Sequence, residues 1–341
     1  MGIAGEARMA FKELLIKSPV RDSSHSPKSQ LDRPPKSSLL AKALSVVGLL
    51  LLVAGFWEDR VVFRYMGQEV WLVDLVPVLL VVPFGLWRLL TEKQRYQRFR
   101  LATILVLYFL LWVTLPMIFG LRVPQLFGEP ELFPAIHVVG SLTFFLYGAA
   151  MLFFGKRLDC GWNCPCVTTR ETVGYAFRST TPRGKFWWHL RWVKWIPGGL
   201  LLAFVGLLLV RPEIAYPTAG RPLYLFITYT YFFSFLAVPF LGNRSYCRWL
   251  CPYAAFWGWL SYVGMYRIRA QRENCTLCRS CEQVCDMGVP IADLVARKGQ
   301  IKTVECMGCG RCVHACPNGV LKIESAAKWW LPKSGCSQPT Q

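Results

Sequence analysis

"CTLCRSCEQVCDMGVPI", Cys275 to Ile291, sets four cysteines in eleven positions with the spacing C-x2-C-x2-C-x3-C. The spacing returns at Cys306, Cys309, Cys312 and Cys316, followed by Pro317. Three thiolates two residues apart on a tight loop can wrap three corners of an iron-sulfur cube. A remote cysteine supplies the fourth corner, and in two-cluster ferredoxins it comes from the other run. Cys275, Cys278, Cys281 and Cys316 are therefore expected to hold one 4Fe-4S cluster, and Cys306, Cys309, Cys312 and Cys285 the other. "CEQVCDMGVPI" aligns with "CVHACPNGVLKI", Gly288 matching Gly319, and the strand-like pieces "GQIKTVE" and "GVLKIE" border the second run. Zinc ribbons instead use two C-x2-C knuckles separated by a longer loop. Asp286 stands where a proline usually follows the fourth cysteine; it is no ligand, so a change in local packing or potential is expected rather than a lost cluster.

Around this cluster the chain is apolar. Of its 341 residues 54% are hydrophobic and 14% aromatic, above the level of an ordinary soluble domain. The formal charge of +19 would suit a nucleic-acid binder. Its lysines and arginines, however, sit in short blocks beside long apolar runs, as the cytoplasmic loops of a membrane protein require. Most of the fourteen cysteines fall in tight C-x2-C and C-x3-C spacings rather than a scattered disulfide framework, which points to cluster or metal ligation under reducing conditions.

Six apolar runs of about twenty residues are expected to cross a bilayer: Leu39 to Trp57, Val70 to Leu90, Leu101 to Phe119, Leu132 to Phe154, Trp192 to Val210 and Leu223 to Leu241. "RLLTEKQRYQRFR" and the loop from Lys156 to Lys194 are basic, whereas "EDRVVFRYMGQE", "RVPQLFGEPE" and "RPEIAYPTAGRP" are not. The basic side, with both termini and the clusters, is expected to be cytoplasmic. "WLCPYAAFWGWLSYVGMY", interrupted by Cys251, Pro252 and Gly258, reads as a half-buried or interfacial helix, with a seventh span as the alternative. The expected organisation is a disordered basic tail (1–38), a transmembrane domain (39–266), a small α+β two-cluster domain (267–325) and a flexible tail (326–341). Residues 9–17, "MAFKELLIK", have the pattern of a short surface helix within the first tail.

Two further motifs, "CGWNCP" (Cys160 to Pro165) and "CRWLCP" (Cys247 to Pro252), repeat C-x-W-x-C-P after the fourth and sixth spans. Both are expected to meet at the cytoplasmic interface, joining Cys160, Cys164, Cys247 and Cys251 in one site, with Trp162 and Trp249 as headgroup anchors. Pro165 and Pro252 suit the first turn of a following helix. Four soft ligands are compatible with a further iron-sulfur centre, a bound copper or other thiophilic ion, or a redox-active dithiol pair. No role is assigned to Cys166 or Cys336.

These parts, over Phe133 to Glu324, resemble the membrane ferredoxins of the NapH type, quinol-oxidising partners of periplasmic nitrate reductase systems. The NosR type, which serves nitrous oxide reductase, and the CcoG (FixG, RdxA) oxidase-assembly proteins share them. The resemblance implies an integral protein of the bacterial cytoplasmic membrane that passes electrons between the quinone pool and a partner reductase or ferredoxin. The alternative it carries is a maturation factor binding or reducing copper. Two additional spans, and the lack of a flavin-bearing domain or an immunoglobulin-like tail, distinguish this chain from those types. His137 in the fourth span and Asp74 in the second are candidate contacts for a quinone, with a packed histidine and a solvated interfacial carboxylate as the plainer readings. Arg170, Arg178, Arg183, Arg191 and Lys194 could hold anionic lipid or a partner, although topology alone accounts for them. No G-x-G-x-x-G or Walker A pattern occurs, which fits an electron conduit better than an enzyme with its own organic substrate.

Overall fold

A computed structural model describes residues 38–58, 60–65, 68–114, 146, 148–155, 158–211, 213 and 220–324. His137, Cys336, residues 9–17, both tails and most of the expected fourth span lie outside the described residues.

Among the described residues three helices are long and apolar enough to cross a membrane: Leu39–Trp57 (α1), Leu72–Thr91 (α2) and the helical run Lys185–Leu207. Most of each lies outside the core, and Leu44, Val47, Leu51, Leu86, Leu202 and other large apolar side chains face outward. Such an exterior is stable against lipid, not water. Between α1 and α2 the chain forms an antiparallel hairpin, Val61–Tyr65 (β1) with Gln68–Trp71 (β2), within what reads in the sequence as a plain connection. Asp74 sits in the first turn of α2, where the helix dipole favours a carboxylate. The third run begins at Arg95–Leu107 (α3) and passes into a π-helical stretch, Tyr108–Thr114.

The sixth expected span is not one helix. Arg221–Phe233 (α7) stops at a turn over 234–237, and Val238–Leu241 (α8) follows as a single turn. The physical reason is local. Pro239 cannot donate to the preceding carbonyls, and Ser234 turns its hydroxyl back onto the Tyr231 carbonyl at 2.5 Å while accepting from buried Arg170 at 2.5 Å. Arg170 also donates to the Asn243 carbonyl. The interrupted seventh piece is a helix of 12 residues, Pro252–Val263 (α10). It rises about 18 Å, short of the roughly 30 Å hydrocarbon core.

Between these lie Pro165–Thr172 (α4), Lys185–His189 (α5), Trp195–Val210 (α6) and Ser245–Trp249 (α9). The C-terminal domain is a three-stranded antiparallel sheet in the order β4-β3-β5, from Arg267–Ala270 (β3), Gln300–Ile301 (β4) and Leu321–Glu324 (β5). Its helices are Ser280–Gln283 (α11), Ile291–Lys298 (α12) and Arg311–His314 (α13). Its core joins Ile268, Met287, Val295, Ile301 and Leu321 with Trp188 from α5. The domain therefore shares apolar burial with the rest of the chain.

One close approach seats it. A Cβ on Gly258 of α10 would stand 2.6 Å from the Val304 carbonyl oxygen, so only glycine lets the helix touch that backbone. Gly258→Leu is expected to cost about 1–3 kcal/mol through overpacking, read as a lower thermal midpoint of the detergent-solubilised protein. An unchanged midpoint would mean that the two surfaces do not meet.

Candidate iron-sulfur and thiol centre

Both cysteine runs use the same backbone turn. Leu277 and Arg279 in the first run and Gly308 and Gly310 in the second have positive φ, between 52° and 72°, at matching positions. Gly288 and Gly319 match in the same way. The second run meets this demand with glycine. The first holds two ordinary residues in the left-handed region, a strain of order 1–3 kcal/mol each that persists where the surroundings impose it. Short helices α11 and α13 then carry the third cysteine of each run.

The two runs lie side by side. Within electrostatic reach of Cys281 are Cys316, Cys278 and Cys275. Within reach of Cys312 are Cys309, Cys306 and Cys285, with Cys281 weaker. Cys275, Cys278, Cys281 and Cys316 line one cavity together with Leu277 and Asn318. Burial, then Glu282 and the neighbouring sulfurs, push the Cys281 thiol up; burial and then the neighbouring sulfurs push Cys312 up, and burial raises Cys285 to about 11. So many crowded sulfurs ionise together only around a positive centre. No three of the described His, Cys, Asp or Glu side chains converge closely enough for a single metal ion. A cube stands between its thiolates and needs wider spacing than one ion, so the donor set and the cradle fit a 4Fe-4S cluster.

The two quartets differ in their surroundings. The first, distal quartet lies under an open surface, with Leu277 51% exposed. The second, proximal quartet lies against the membrane domain: Gln97 of α3 donates to the Cys309 carbonyl at 3.0 Å, and Tyr96 packs on Gly310 and on His314 at 5.0 Å.

The C-x3-C-P motifs sit beside this proximal side. In the first, the amides of Trp162, Asn163 and Cys164 all donate to the Asp159 carbonyl, and Pro165 opens α4. In the second, α9 ends at Trp249, the Cys251 amide donates to the Tyr246 carbonyl, and Pro252 opens α10. Both prolines thus take the expected first-turn place. Cys160 and Cys247 pack against the core of the C-terminal domain, and Cys251 belongs to the core of the membrane domain. Cys247 is among the charged neighbours of Cys164 and of Cys251, and Cys160 is one of Cys251. All four predicted thiols therefore come to one region. Cys166, to which the sequence assigns no role, joins them: it hydrogen-bonds with Cys164 and with the Tyr231 hydroxyl. The signal for it was its place two residues after Cys164. Trp249 is no headgroup anchor. It is 6% exposed, packs on Trp187 at 5.2 Å and donates its ring N–H to the Trp187 carbonyl. Trp162 lies between Tyr96 and Phe99.

The hub of this region is a residue that pattern reading missed. Glu171 of α4, 2% exposed, pairs with Arg311 from the second cysteine run, with Arg244 at 2.5 Å and with Arg100 at 3.3 Å. Arg100 also donates to the Gly161 carbonyl inside the first C-x3-C-P motif. Burial alone would raise the Glu171 carboxyl, but Arg311, Arg100 and Arg244 together hold it well below the usual carboxylate range. Asp286, 1% exposed, is the second tie, bound by Arg178 at 2.5 Å. The carboxylate in the proline place thus changes packing, by locking the domain to the chain. Lys194 and Glu305 form a third buried pair. Arg178, Arg183 and Lys194 therefore face this protein's own cysteine domain rather than lipid: Arg178 donates to the Val284 carbonyl and Arg183 to those of Glu282 and Gln283. Arg191 lies over the Trp188 ring at 3.9 Å.

Comparison with known proteins accords with these parts. The 4Fe-4S dicluster domain family matches residues 274–321, which hold both cysteine runs. The family described as 4Fe-4S binding domain matches 138–185 and 224–269, each containing one C-x3-C-P motif. YccM of Escherichia coli, named as a proposed electron transport protein, is 26% identical over 229 residues, 60% of this chain and 60% of YccM. The chain thus spans about three-fifths of that relative's length. The ferredoxin-type protein NapH of Escherichia coli is 27% identical over 234 residues, 63% of this chain and 77% of NapH. The methylamine utilization ferredoxin-type protein MauN of Methylorubrum extorquens is 29% identical over 151 residues, 41% of this chain and 53% of MauN. No solved structure matches. At this modest identity the chain is similar to NapH-type ferredoxins, and it carries sequence matched by two 4Fe-4S binding families.

Proposed function

We propose that this protein is an electron conduit of the bacterial cytoplasmic membrane, passing electrons between the quinone pool and a partner reductase or ferredoxin. The observation that carries the reading is the meeting of two cysteine runs, side by side, with a third group of thiols where the chain leaves its apolar segments. When bound, each 4Fe-4S cluster takes up and returns a single electron. The chain's own residues do the rest. Eight thiolates hold the clusters, the left-handed turns wrap the backbone around them, and Glu171 and Asp286 keep the proximal quartet beside Cys160, Cys164, Cys166, Cys247 and Cys251. Buried surroundings exclude water from that side. The name of NapH as a ferredoxin-type protein supports this reading. A multi-pass topology with both termini and the clusters cytoplasmic follows the basic loops.

Reduced-minus-oxidised EPR of the anaerobically reconstituted protein is expected to give interacting 4Fe-4S signals. Zinc in place of iron and acid-labile sulfide would sink the reading, and a C-terminal reporter active only in the periplasm would overturn the orientation. The buried thiol group around Cys164 and Cys166 favours a second reading, a metalloenzyme maturation factor that binds or reduces copper through these soft ligands. Deletion separates the two. Lost quinol-dependent reductase activity with the enzyme's metal intact supports the conduit, and a metal-deficient enzyme supports maturation.

A further inference from the structure

The sheet of the cysteine domain buries one face and leaves the other open. Ile268, Ile301 and Leu321 point into its core. The register sets Arg267 opposite Glu324, and Arg269 opposite Lys322 and Gln300, so these side chains share the outer face. Arg267 and Arg269 both pair with Oε2 of Glu324, at 2.9 and 2.8 Å, each through Nε. Three cations thus stand with one carboxylate, and the forked Nη donors of the two arginines stay available for a phosphate. Lys322 is exposed, as is 57% of the Arg269 side chain.

This face begins where the lipid-facing surface ends. Trp259 and Val263, one turn apart on α10, face outward, and Met265 just after them is 62% exposed. The Met265 amide donates to the Leu152 carbonyl at 2.8 Å, on the helical run 148–154 where Leu152 and Phe153 also face outward. In the sequence that run leads into Lys156 and Arg157. Two residues of extended chain cover at most about 7 Å, and the polar layer of a bilayer is about 5–8 Å thick on each side. Arg267 therefore stands at headgroup level. Arg269 and Lys322 lie one pleat farther, comparable with the ~8 Å over which an anionic surface acts at physiological ionic strength, and their long side chains can extend toward it. Beyond β5 the sequence continues as "SAAKWWLPK", residues 325–333, two tryptophans between lysines, a composition suited to a membrane interface.

We propose that the outer sheet face formed by Arg267, Arg269 and Lys322 docks on anionic phospholipid headgroups and seats the cysteine domain against the leaflet from which it emerges. The partner is anionic because the face keeps a positive excess after Glu324 is counted, and it is lipid because the face continues the apolar surface of α10. Leu321, on the inner side of the same strand as Lys322, lines the cavity of the distal quartet. Headgroup docking therefore fixes how high that quartet stands above the bilayer. The inference goes beyond the conduit reading and requires only that the chain be embedded in a bilayer.

The test places the full-length protein in nanodiscs of phosphatidylcholine alone and of phosphatidylcholine with phosphatidylglycerol. Hydrogen exchange is followed in residues 267–270 and 321–324, and the lipid retained by the purified protein is counted by native mass spectrometry. Phosphatidylglycerol is expected to slow exchange in both strands and to be retained several-fold more than phosphatidylcholine, with no competition from inorganic phosphate. Arg269→Gln and Lys322→Gln, both at exposed positions, each lower that retention several-fold, and Arg269→Lys keeps it. Glu324→Gln strengthens it by removing the one anion on the face, whereas a merely structural ion pair would give no gain. Equal exchange in the two kinds of nanodisc, retention unchanged in the glutamine variants, or protection reproduced by inorganic phosphate would overturn the inference. So would protection that appears only when an acidic soluble ferredoxin is added, which would make the face a protein dock. A chain that fails to enter nanodiscs would overturn the membrane reading and the inference with it.

Discussion

A Cys285→Ala variant is expected to match Cys306→Ala rather than Cys275→Ala in its EPR spectrum, although Cys285 belongs to the same sequence run as Cys275. Iron is expected to fall from about eight to about four atoms per chain in each single variant, because each cube needs all four thiolates. The cause is the chain path. The one-turn helix that holds the third cysteine of each run carries the fourth cysteine away from its own loop. Cys312 accordingly has Cys285 among its near neighbours, as Cys281 has Cys316. Cys316→Ala is expected to pair with Cys275→Ala for the same reason. A Cys285→Ala protein that instead resembled Cys275→Ala would mean that each run closes on its own cluster.

Replacing Glu171 by alanine is expected to release the cysteine domain from the membrane domain. Three buried guanidiniums, from Arg100, Arg244 and Arg311, would lose their common carboxylate, and removing one partner of a buried ion pair costs about 3–5 kcal/mol. The loss is read as a lower thermal midpoint and as new limited-proteolysis cuts between α10 and the first cysteine run. An unchanged midpoint and cutting pattern would remove Glu171 from the docking role. The pH dependence has a fixed sign. The Glu171 carboxyl is held well below its unfolded range, so its contribution is complete above the unfolded value of about 4.3 and is lost as pH falls through the lower folded value. Docking of the unaltered protein should therefore weaken in acid below about pH 4, and Glu171→Gln should remove that part of the dependence.

Much of the site was legible in one dimension because its chemistry is local. C-x2-C-x2-C-x3-C is set by the size of a cube, and a proline after C-x3-C is set by the missing amide at a helix start, so both appear as short spacings. The apolar runs at Leu39–Trp57 and Leu72–Thr91 were legible for a similar reason, since lipid demands length and composition. Hydropathy, however, does not register where a backbone breaks. The run from Leu223 to Leu241 is apolar throughout, yet it divides at Ser234, where a buried arginine and a proline oppose a continuous helix. The hairpin at β1 and β2 was likewise missed in a short connection with mixed charge.

The sequence by itself determined the cysteine spacings: the two C-x2-C-x2-C-x3-C runs and the two C-x3-C-P motifs are local and do not depend on the rest of the chain. Only the tertiary structure decided how these centres stand together. Glu171 meets Arg311 across 140 residues, and Asp286 meets Arg178 across 108. An ion pair depends on proximity in space, which no local spacing encodes. An aspartate in a proline's place, a basic loop and an extra cysteine thus acquire their meaning only when the cysteine domain is seated.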